Sequence, residues 1–171
     1  IRAKHDAAII TGTIASPSKP SVRLTELDEP TIIVTFHPTT REFENTEKDT
    51  ISLLSALKKS KKNIIFTYPN ADTNGKKIID LIHNFSIDYK KSKVISNFGL
   101  QGYFSLLNHV EMMVGNSSSG IIEAASFKLP VVNIGNRQKG RACSKNVIHC
   151  TNDTDDILKS INKASSQEFR E

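Results

Sequence analysis

Short runs of apolar, mostly β-branched residues alternate with longer amphipathic stretches from Thr31 onward, and this alternation constrains the fold more than any other feature. Buried parallel strands have the first pattern, and helices that cover a sheet with one apolar face have the second. Six runs have strand character: Thr31–Phe36, Asn63–Tyr68, Lys93–Asn97, Glu111–Gly115, Val131–Ile134 and Val147–His149. Five stretches have helical periodicity: about Lys48–Lys59, Gly75–Phe85, Gly102–Asn108, Ser118–Phe127 and Thr154–Ala164. The pattern predicts an α/β fold of Rossmann type, with three layers (α/β/α) and a parallel sheet of about six strands.

Residues 31–165 contain this alternation, and we expect them to form one domain of the 171-residue chain. The segment 1–30 has no clear periodicity and includes Ala15–Pro20 (ASPSKP), which is typical of a linker or of the remnant of a preceding domain. Residues 166–171 are mostly polar and follow a predicted helix, so we expect a truncated C-terminal tail there.

Charge and composition disfavour several functional classes. The net charge is +5, but the lysines are spread along predicted helical faces with few aromatic residues between them, unlike a nucleic-acid interface. No apolar stretch approaches the roughly 20 residues that cross a bilayer, and no signal pattern is present, so we expect a cytoplasmic protein without a membrane partner. The spacing of Cys143 and Cys150 fits neither a zinc site nor a disulfide framework, so we expect no metal. Dinucleotide and P-loop fingerprints are absent as well, and no cofactor is predicted.

A turn of small polar residues, Asn116–Gly120, lies between a predicted strand and a predicted helix. In open α/β sheets, ligands bind at the carboxyl ends of the strands, and a helix N-terminus offers free N–H groups to an anion. One interpretation is therefore that Ser117 and Ser118 hold a phosphate. The other is a well-capped turn without a ligand, in which one of these serines caps the helix. The turn alone does not decide between the two.

Glu123 follows this turn and has apolar neighbours such as Ile122 and Ala124. A carboxylate in apolar surroundings needs a partner, and the two hydroxyls of a ribose would supply one. The alternative is an ordinary acidic residue in the first turns of a helix, where the helix dipole favours it. We take Glu123 as the residue that favours a nucleotide site.

Other candidate residues follow the remaining strands and so belong to the same edge of the sheet. Arg137 and Arg141 fit a clamp on phosphate oxygens, with Gln138 as a neutral donor, whereas a basic surface loop is the alternative. His37 ends the first strand, where it would bind a diphosphate or assist proton transfer, unless it is structural.

Two further pairs follow the second and third predicted strands. Asn70 and Asp72 occupy the equivalent edge position, and helix capping is their alternative role. Phe98 and Tyr103 flank the next turn and fit the wall of a base pocket, whereas core packing is the alternative for Tyr103. The convergence of these residues on one edge predicts a nucleotide site.

Three motifs in one register resemble the hydrolysing UDP-N-acetylglucosamine 2-epimerases: FHP at Phe36–Pro38, YPNAD at Tyr68–Asp72, and VGNSSSGIIEA from Val114 with the following GNRQKGR. The resemblance extends from Thr31 to about Ala164. It implies that the chain is the second of two Rossmann-like domains in a GT-B arrangement. The partners implied are UDP or UDP-N-acetylglucosamine, the missing N-terminal domain and, in the full-length enzyme, further copies of the same chain.

The resemblance also implies roles for individual residues. In the family pattern, Ser117 and Ser118 would hold phosphate and Glu123 the ribose. Arg137 would bind the diphosphate, and His37 would bind it close to the reacting carbon. Other nucleotide atoms would contact Asn70 and Asp72, and uracil would contact Phe98 and Tyr103. The implied reaction eliminates UDP across C1 and C2 of the sugar, and water then adds to the glycal to give N-acetylmannosamine for sialic-acid-type sugars. The family's main catalytic carboxylates lie in the other domain, so we expect this chain to be inactive alone.

Several alternatives remain open at this point. Non-hydrolysing epimerases share the fold but favour a serine followed by two glycines at the anion turn. A diacetamido-sugar 2-epimerase, a GT-B glycosyltransferase and a non-catalytic nucleotide-binding module also fit a nucleotide site on this fold.

Overall fold

The computed structural model describes residues 29–38, 45–69 and 75–170. Six strands of these residues form a parallel sheet in the order β3-β2-β1-β4-β5-β6. The strands are β1 (Thr31–Thr35), β2 (Asn63–Thr67), β3 (Ser92–Ile95), β4 (Met112–Gly115), β5 (Val131–Ile134) and β6 (Val147–Cys150). The predicted Rossmann-like α/β fold with six parallel strands is confirmed.

Helices cover both faces of the sheet. They are α1 (Thr46–Ser60), α2 (Gly75–Asp88), α3 (Gly99–His109), α4 (Ser118–Ile122), α5 (Thr154–Ser165) and α6 (Gln167–Arg170), with a 3-10 turn at Ala124–Phe127. Because side chains alternate along a strand, Ile32 and Val34 pack with α1, α2 and α5, whereas Ile33 packs with α3 and the 3-10 turn. Two hydrophobic cores therefore flank one sheet, which is the predicted three-layer arrangement.

The helix predicted at Ser118–Phe127 is interrupted. Helix α4 ends at Ile122, Glu123 occupies the junction, and the chain then tightens into the 3-10 turn. Lys128 adopts a left-handed backbone conformation, with φ of 51°, and this returns the chain to β5. Glu123 is therefore not in the first turns of a continuous helix, and the alternative based on the dipole of such a helix is wrong.

The predicted bounds of Val131–Ile134 agree with β5, whereas the other elements differ from their predicted bounds by up to three residues at one or both ends. Of the candidate caps, Ser117 caps α4, and Asp153 caps α5 by accepting from Asp155 N at 2.9 Å and from Asp156 N at 3.1 Å. The C-terminal segment forms the short helix α6. None of the helices in the described ranges is long and apolar enough to cross a membrane.

The chain order changes direction between β1 and β4. From β1 the chain proceeds outward through β2 and β3, and then returns to add β4 on the opposite side of β1. Such a switch point opens a crevice at the carboxyl ends of the strands, where ligands of this fold class bind. Gly115 ends β4 there with φ of +142°, and a Cβ at this position would overlap the carbonyl oxygen of Thr35. The glycine therefore permits the close approach of the two strand ends.

Candidate functional site

Asn116 joins the segments that follow β1 and β4, and the sequence analysis assigned it no role of its own. Its Oδ1 accepts from His37 N at 2.7 Å, and its Nδ2 donates to His37 O at 2.9 Å. The residue is 1% exposed. One buried side chain therefore satisfies the backbone N–H and C=O of His37 and fixes the position of this residue after β1.

The segment after β5 is tied to the same residue. The carbonyl oxygen of Asn116 accepts from Gln138 Nε2 at 2.8 Å and from Arg137 Nη1 at 3.2 Å. Gln138 is 3% exposed, and its Oε1 accepts no hydrogen bond from the described protein atoms. Gln138 was predicted as a neutral donor to a phosphate. In this structure its Nε2 donates one hydrogen bond to Asn116 O, and its Oε1 is a buried acceptor.

The turn after β4 places Ser117 and Ser118 at the carboxyl edge of the sheet. Ser117 Oγ accepts from Ser119 N at 3.3 Å, and Ser118 is the first residue of α4. Gly120 lets the helix lie close to the sheet, since a Cβ there would be 2.9 Å from Val131 Cγ1. Because α4 has only five residues, free N–H groups and hydroxyls are what this turn offers an anion, rather than a long helix dipole.

Glu123 lies behind the turn with one oxygen unsatisfied. Its Oε2 is buried and accepts no hydrogen bond from the described residues. Burial raises the pKa of the nearby Tyr103, a hydrogen bond from Ser119 lowers it, and the charge of Glu123 raises it further. The hydroxyl of Tyr103 lies 2.7 Å from Ser119 Oγ. Tyr103 therefore interacts with both Ser119 and Glu123.

Phe98 and Tyr103 both pack against the core that contains Ile33. Tyr103 packs against the core around Ile33 and directs its hydroxyl to Ser119, as its core-packing alternative anticipated. Phe98 is half-buried at the start of α3, and the preceding Asn97 accepts from Gly99 N at 2.7 Å. Since neighbouring strands lie about 4.8 Å apart, Phe98 after β3 is roughly 10 Å from the end of β1.

The remaining predicted residues are distributed as follows. His37 is 8% exposed at the end of β1, and Arg137 and Arg141 are exposed on the segment after β5. Asn70 and Asp72 lie outside the described residues. Within the three described ranges, no three His, Cys, Asp or Glu side chains are grouped so that they would hold a metal.

Comparisons with known proteins place these features in a family. The family model for UDP-N-acetylglucosamine 2-epimerase matches residues 5–171, so the match begins within the segment predicted as a linker. The GDP/UDP-N,N'-diacetylbacillosamine 2-epimerase (hydrolyzing) of Campylobacter jejuni is 39% identical over 148 residues, which cover 85% of this chain and 38% of that protein. The UDP-N-acetylglucosamine 2-epimerase of Neisseria meningitidis is 35% identical over 133 residues, which cover 77% of this chain and 34% of that protein.

The fold also matches solved structures. In the S. aureus MnaA co-structure with UDP, 42% of the chain superposes on 91% of this one, with a TM-score of 0.64 and 11% sequence identity. This likeness shows the fold alone. The chain spans little more than a third of the length of the curated relatives described above.

Proposed function

Because the chain belongs to the UDP-N-acetylglucosamine 2-epimerase family, we propose that it is the nucleotide-binding half of a hydrolysing UDP-sugar 2-epimerase. The substrate in this proposal is UDP-N-acetylglucosamine, and the products of the whole protein are UDP and N-acetylmannosamine. Glu123 supports the proposal most directly, since its Oε2 is buried and none of the described residues donates a hydrogen bond to it. A buried carboxylate oxygen needs such a donor, and the ribose of UDP offers two hydroxyls.

The diphosphate has a separate set of groups in this proposal. The hydroxyls of Ser117 and Ser118 and the guanidinium of Arg137 all lie at the carboxyl edge where β4 and β5 end. Arginine binds phosphate oxygens through charge-assisted hydrogen bonds, and its charge is permanent. These groups would stabilise the negative charge that develops on UDP as it leaves C1 of the sugar.

The proposed reaction has two parts. In the first, the C2 proton is removed, the bond between C1 and the diphosphate oxygen breaks, and a glycal forms. In the second, water adds across C1 and C2 to release the epimerised sugar. In this proposal His37 lies beside the leaving group. Its backbone N–H and C=O are held by the side chain of Asn116. The base for the C2 proton belongs to the rest of the protein in this proposal, so we expect the present chain alone to bind nucleotide without turnover.

Calorimetric titration tests the nucleotide assignment, first on this chain and then on the full-length protein. UDP is compared with UMP, GDP and ADP, and we expect saturable binding that prefers UDP. Glu123→Gln keeps the shape of the side chain but removes its charge, and we expect it to weaken UDP binding by about 10- to 100-fold. Asp88→Asn is the matched control, since Asp88 is an exposed carboxylate at the far end of α2. Equal affinities for the four nucleotides in the full-length protein would refute the proposal.

A diacetamido sugar is the second candidate for the substrate. The relative from Campylobacter jejuni, which is named for diacetylbacillosamine, is 39% identical, compared with 35% for the relative named for UDP-N-acetylglucosamine. Mass spectrometry of the sugars released by the full-length protein from each UDP-sugar separates the two. Release of N-acetylmannosamine alone would support the first candidate, and release of the diacetamido product alone would support the second.

A further inference from the structure

Three side chains form a hydrogen-bonded row at the outer edge of the sheet, apart from the residues assigned to the nucleotide. Cys143 Sγ lies 3.5 Å from His149 Nε2 on β6, and His149 Nδ1 lies 3.1 Å from Asn133 Nδ2 on β5. Asn133 and His149 are paired in the register of the two strands, so the sheet itself makes them neighbours. Cys143 and His149 are exposed, whereas Asn133 is 2% exposed. A thiol in contact with solvent therefore adjoins an imidazole that is anchored by the sheet.

Asn133 determines which nitrogen of His149 carries the proton. An amide nitrogen has only N–H groups to offer, so Asn133 Nδ2 donates and His149 Nδ1 accepts. The proton of the neutral imidazole then lies on Nε2, facing Cys143 Sγ. An N–H in this position donates a hydrogen bond to the anionic sulfur that forms when the thiol gives its proton to solvent.

The second cysteine has a different environment and serves as an internal reference. Cys150 is half-buried on β6, and its Sγ lies 3.8 Å from Asn133 O. Burial, followed by the negative charge of Asp156, raises the pKa of Cys150 to about 12. Thiol exchange requires the thiolate, so we expect Cys150 to react far more slowly than an exposed thiol at neutral pH. Rapid thiol chemistry of this chain is therefore expected at Cys143.

The charges around Cys143 select the kind of reagent. Arg141 and Lys145 lie two residues to either side of it, and both are exposed. The sequence from Arg137 to Lys145 contains four cationic residues and no acidic residue. A local positive potential raises the concentration of anions near the thiol and lowers that of cations.

We propose that Cys143 is a modification site that exchanges with negatively charged, low-molecular-weight disulfides. The Cys143 thiolate attacks one sulfur of the disulfide, and the S–S bond of the reagent breaks as a new S–S bond forms. The other half of the reagent leaves as a thiolate and takes a proton from solvent. The sulfur of Cys143 is oxidised and the departing sulfur is reduced, so the disulfide is the only oxidant required. His149 acts as a positioning residue whose Nε2–H faces the attacking sulfur.

The experiment measures the rate of adduct formation at pH 7 and low ionic strength by mass spectrometry of the intact chain. The probes are oxidised glutathione, which is anionic, and cystamine, which is cationic. A peptide of residues 141–147 provides the reference, because it retains Arg141 and Lys145 but lacks His149. We expect a single adduct on Cys143, formed about 10-fold faster with glutathione than in the peptide.

Variants separate the contributions of the histidine and of the charges. We expect Cys143→Ala to abolish the adduct, Cys150→Ala to retain it, and His149→Ala to react at the peptide rate, with circular dichroism confirming that each is folded. Lys145→Glu is expected to slow the reaction with glutathione and to accelerate that with cystamine. An adduct on Cys150, a peptide rate in the unmodified sequence, or an unchanged rate in His149→Ala would overturn the proposal. A charge reversal that alters both rates in the same direction would overturn the preference for anions.

Discussion

Replacing Asn116 by alanine removes both hydrogen bonds that hold the segment after β1 to the segment after β4. The backbone N–H and C=O of His37 would then lose their partners, in a residue that is only 8% exposed. Leaving one buried polar group unsatisfied costs about 1–3 kcal/mol, and water that enters the vacated space recovers part of that cost. We therefore expect Asn116→Ala to lower the free energy of unfolding by about 2–5 kcal/mol.

Urea denaturation measures this loss, and calorimetry with UDP measures its consequence for the site. The dependence of the unfolding free energy on urea concentration should be unchanged, since the surface exposed on unfolding is nearly the same. We also expect the affinity of Asn116→Ala for UDP to fall about 10-fold, because the ligand must then order His37 and the turn after β4 as it binds.

Asn146→Ala is the matched control for this prediction. Asn146 Nδ2 donates to Leu129 O at 2.7 Å in the segment before β6, away from the carboxyl edge of the sheet. We expect a loss of about 1 kcal/mol in this variant and unchanged affinity for UDP. If Asn116→Ala lowers the free energy of unfolding no more than Asn146→Ala does, the hydrogen bonds to His37 contribute less stability than we propose. If the two variants bind UDP equally well, Asn116 does not position the site.

Two further predictions concern the neighbourhood of Asn116. Gly115→Ala places a Cβ against Thr35 O, and we expect it to lower the free energy of unfolding by more than about 3 kcal/mol in urea denaturation. Gly140→Ala, at φ of +85° with open space around it, should lower it by about 1 kcal/mol. Equal losses in the two variants would refute the steric argument. Since burial raises the pKa of Tyr103 above its ordinary value of 10.0, its unfolded form loses the proton first, and stability should fall as pH rises above about 10. Tyr103→Phe should reduce this alkaline loss in urea denaturation as a function of pH, and an identical pH profile would contradict the assignment.

Much of the fold follows from local sequence, because buried parallel strands are continuous apolar runs. The bounds of Val131–Ile134 were predicted as the structure has them. Phe36 was predicted within β1 and remains buried, but β1 ends at Thr35, the residue that pairs with Gly115 at the end of β4. The interruption of the helix at Glu123 depends on how the chain returns to β5, and periodicity alone does not contain that information.

The candidate site was predictable in its location but less so in its connections. Residues that follow different strands of a parallel sheet converge on one edge, so their common position could be inferred. The role of Asn116 could not, because its partner His37 is 79 residues away and is contacted through backbone atoms. An asparagine directly after a strand that ends in glycine is the one signal the sequence offered. The row from Cys143 to Asn133 likewise depends on the register of β5 with β6.

Two of the buried acceptors constrain the ligand in a way that the basic residues do not. Glu123 Oε2 follows the helix after β4, Gln138 Oε1 follows β5, and neither receives a hydrogen bond from the described residues. A fully ionised diphosphate has only acceptor oxygens, so it satisfies neither atom. Hydroxyl or amide N–H groups would satisfy both atoms, while the proposed role of the arginine and the serines is to donate to an anion. A site with both requirements matches a molecule in which a diphosphate lies between groups that carry hydroxyls, as it does in a nucleotide sugar.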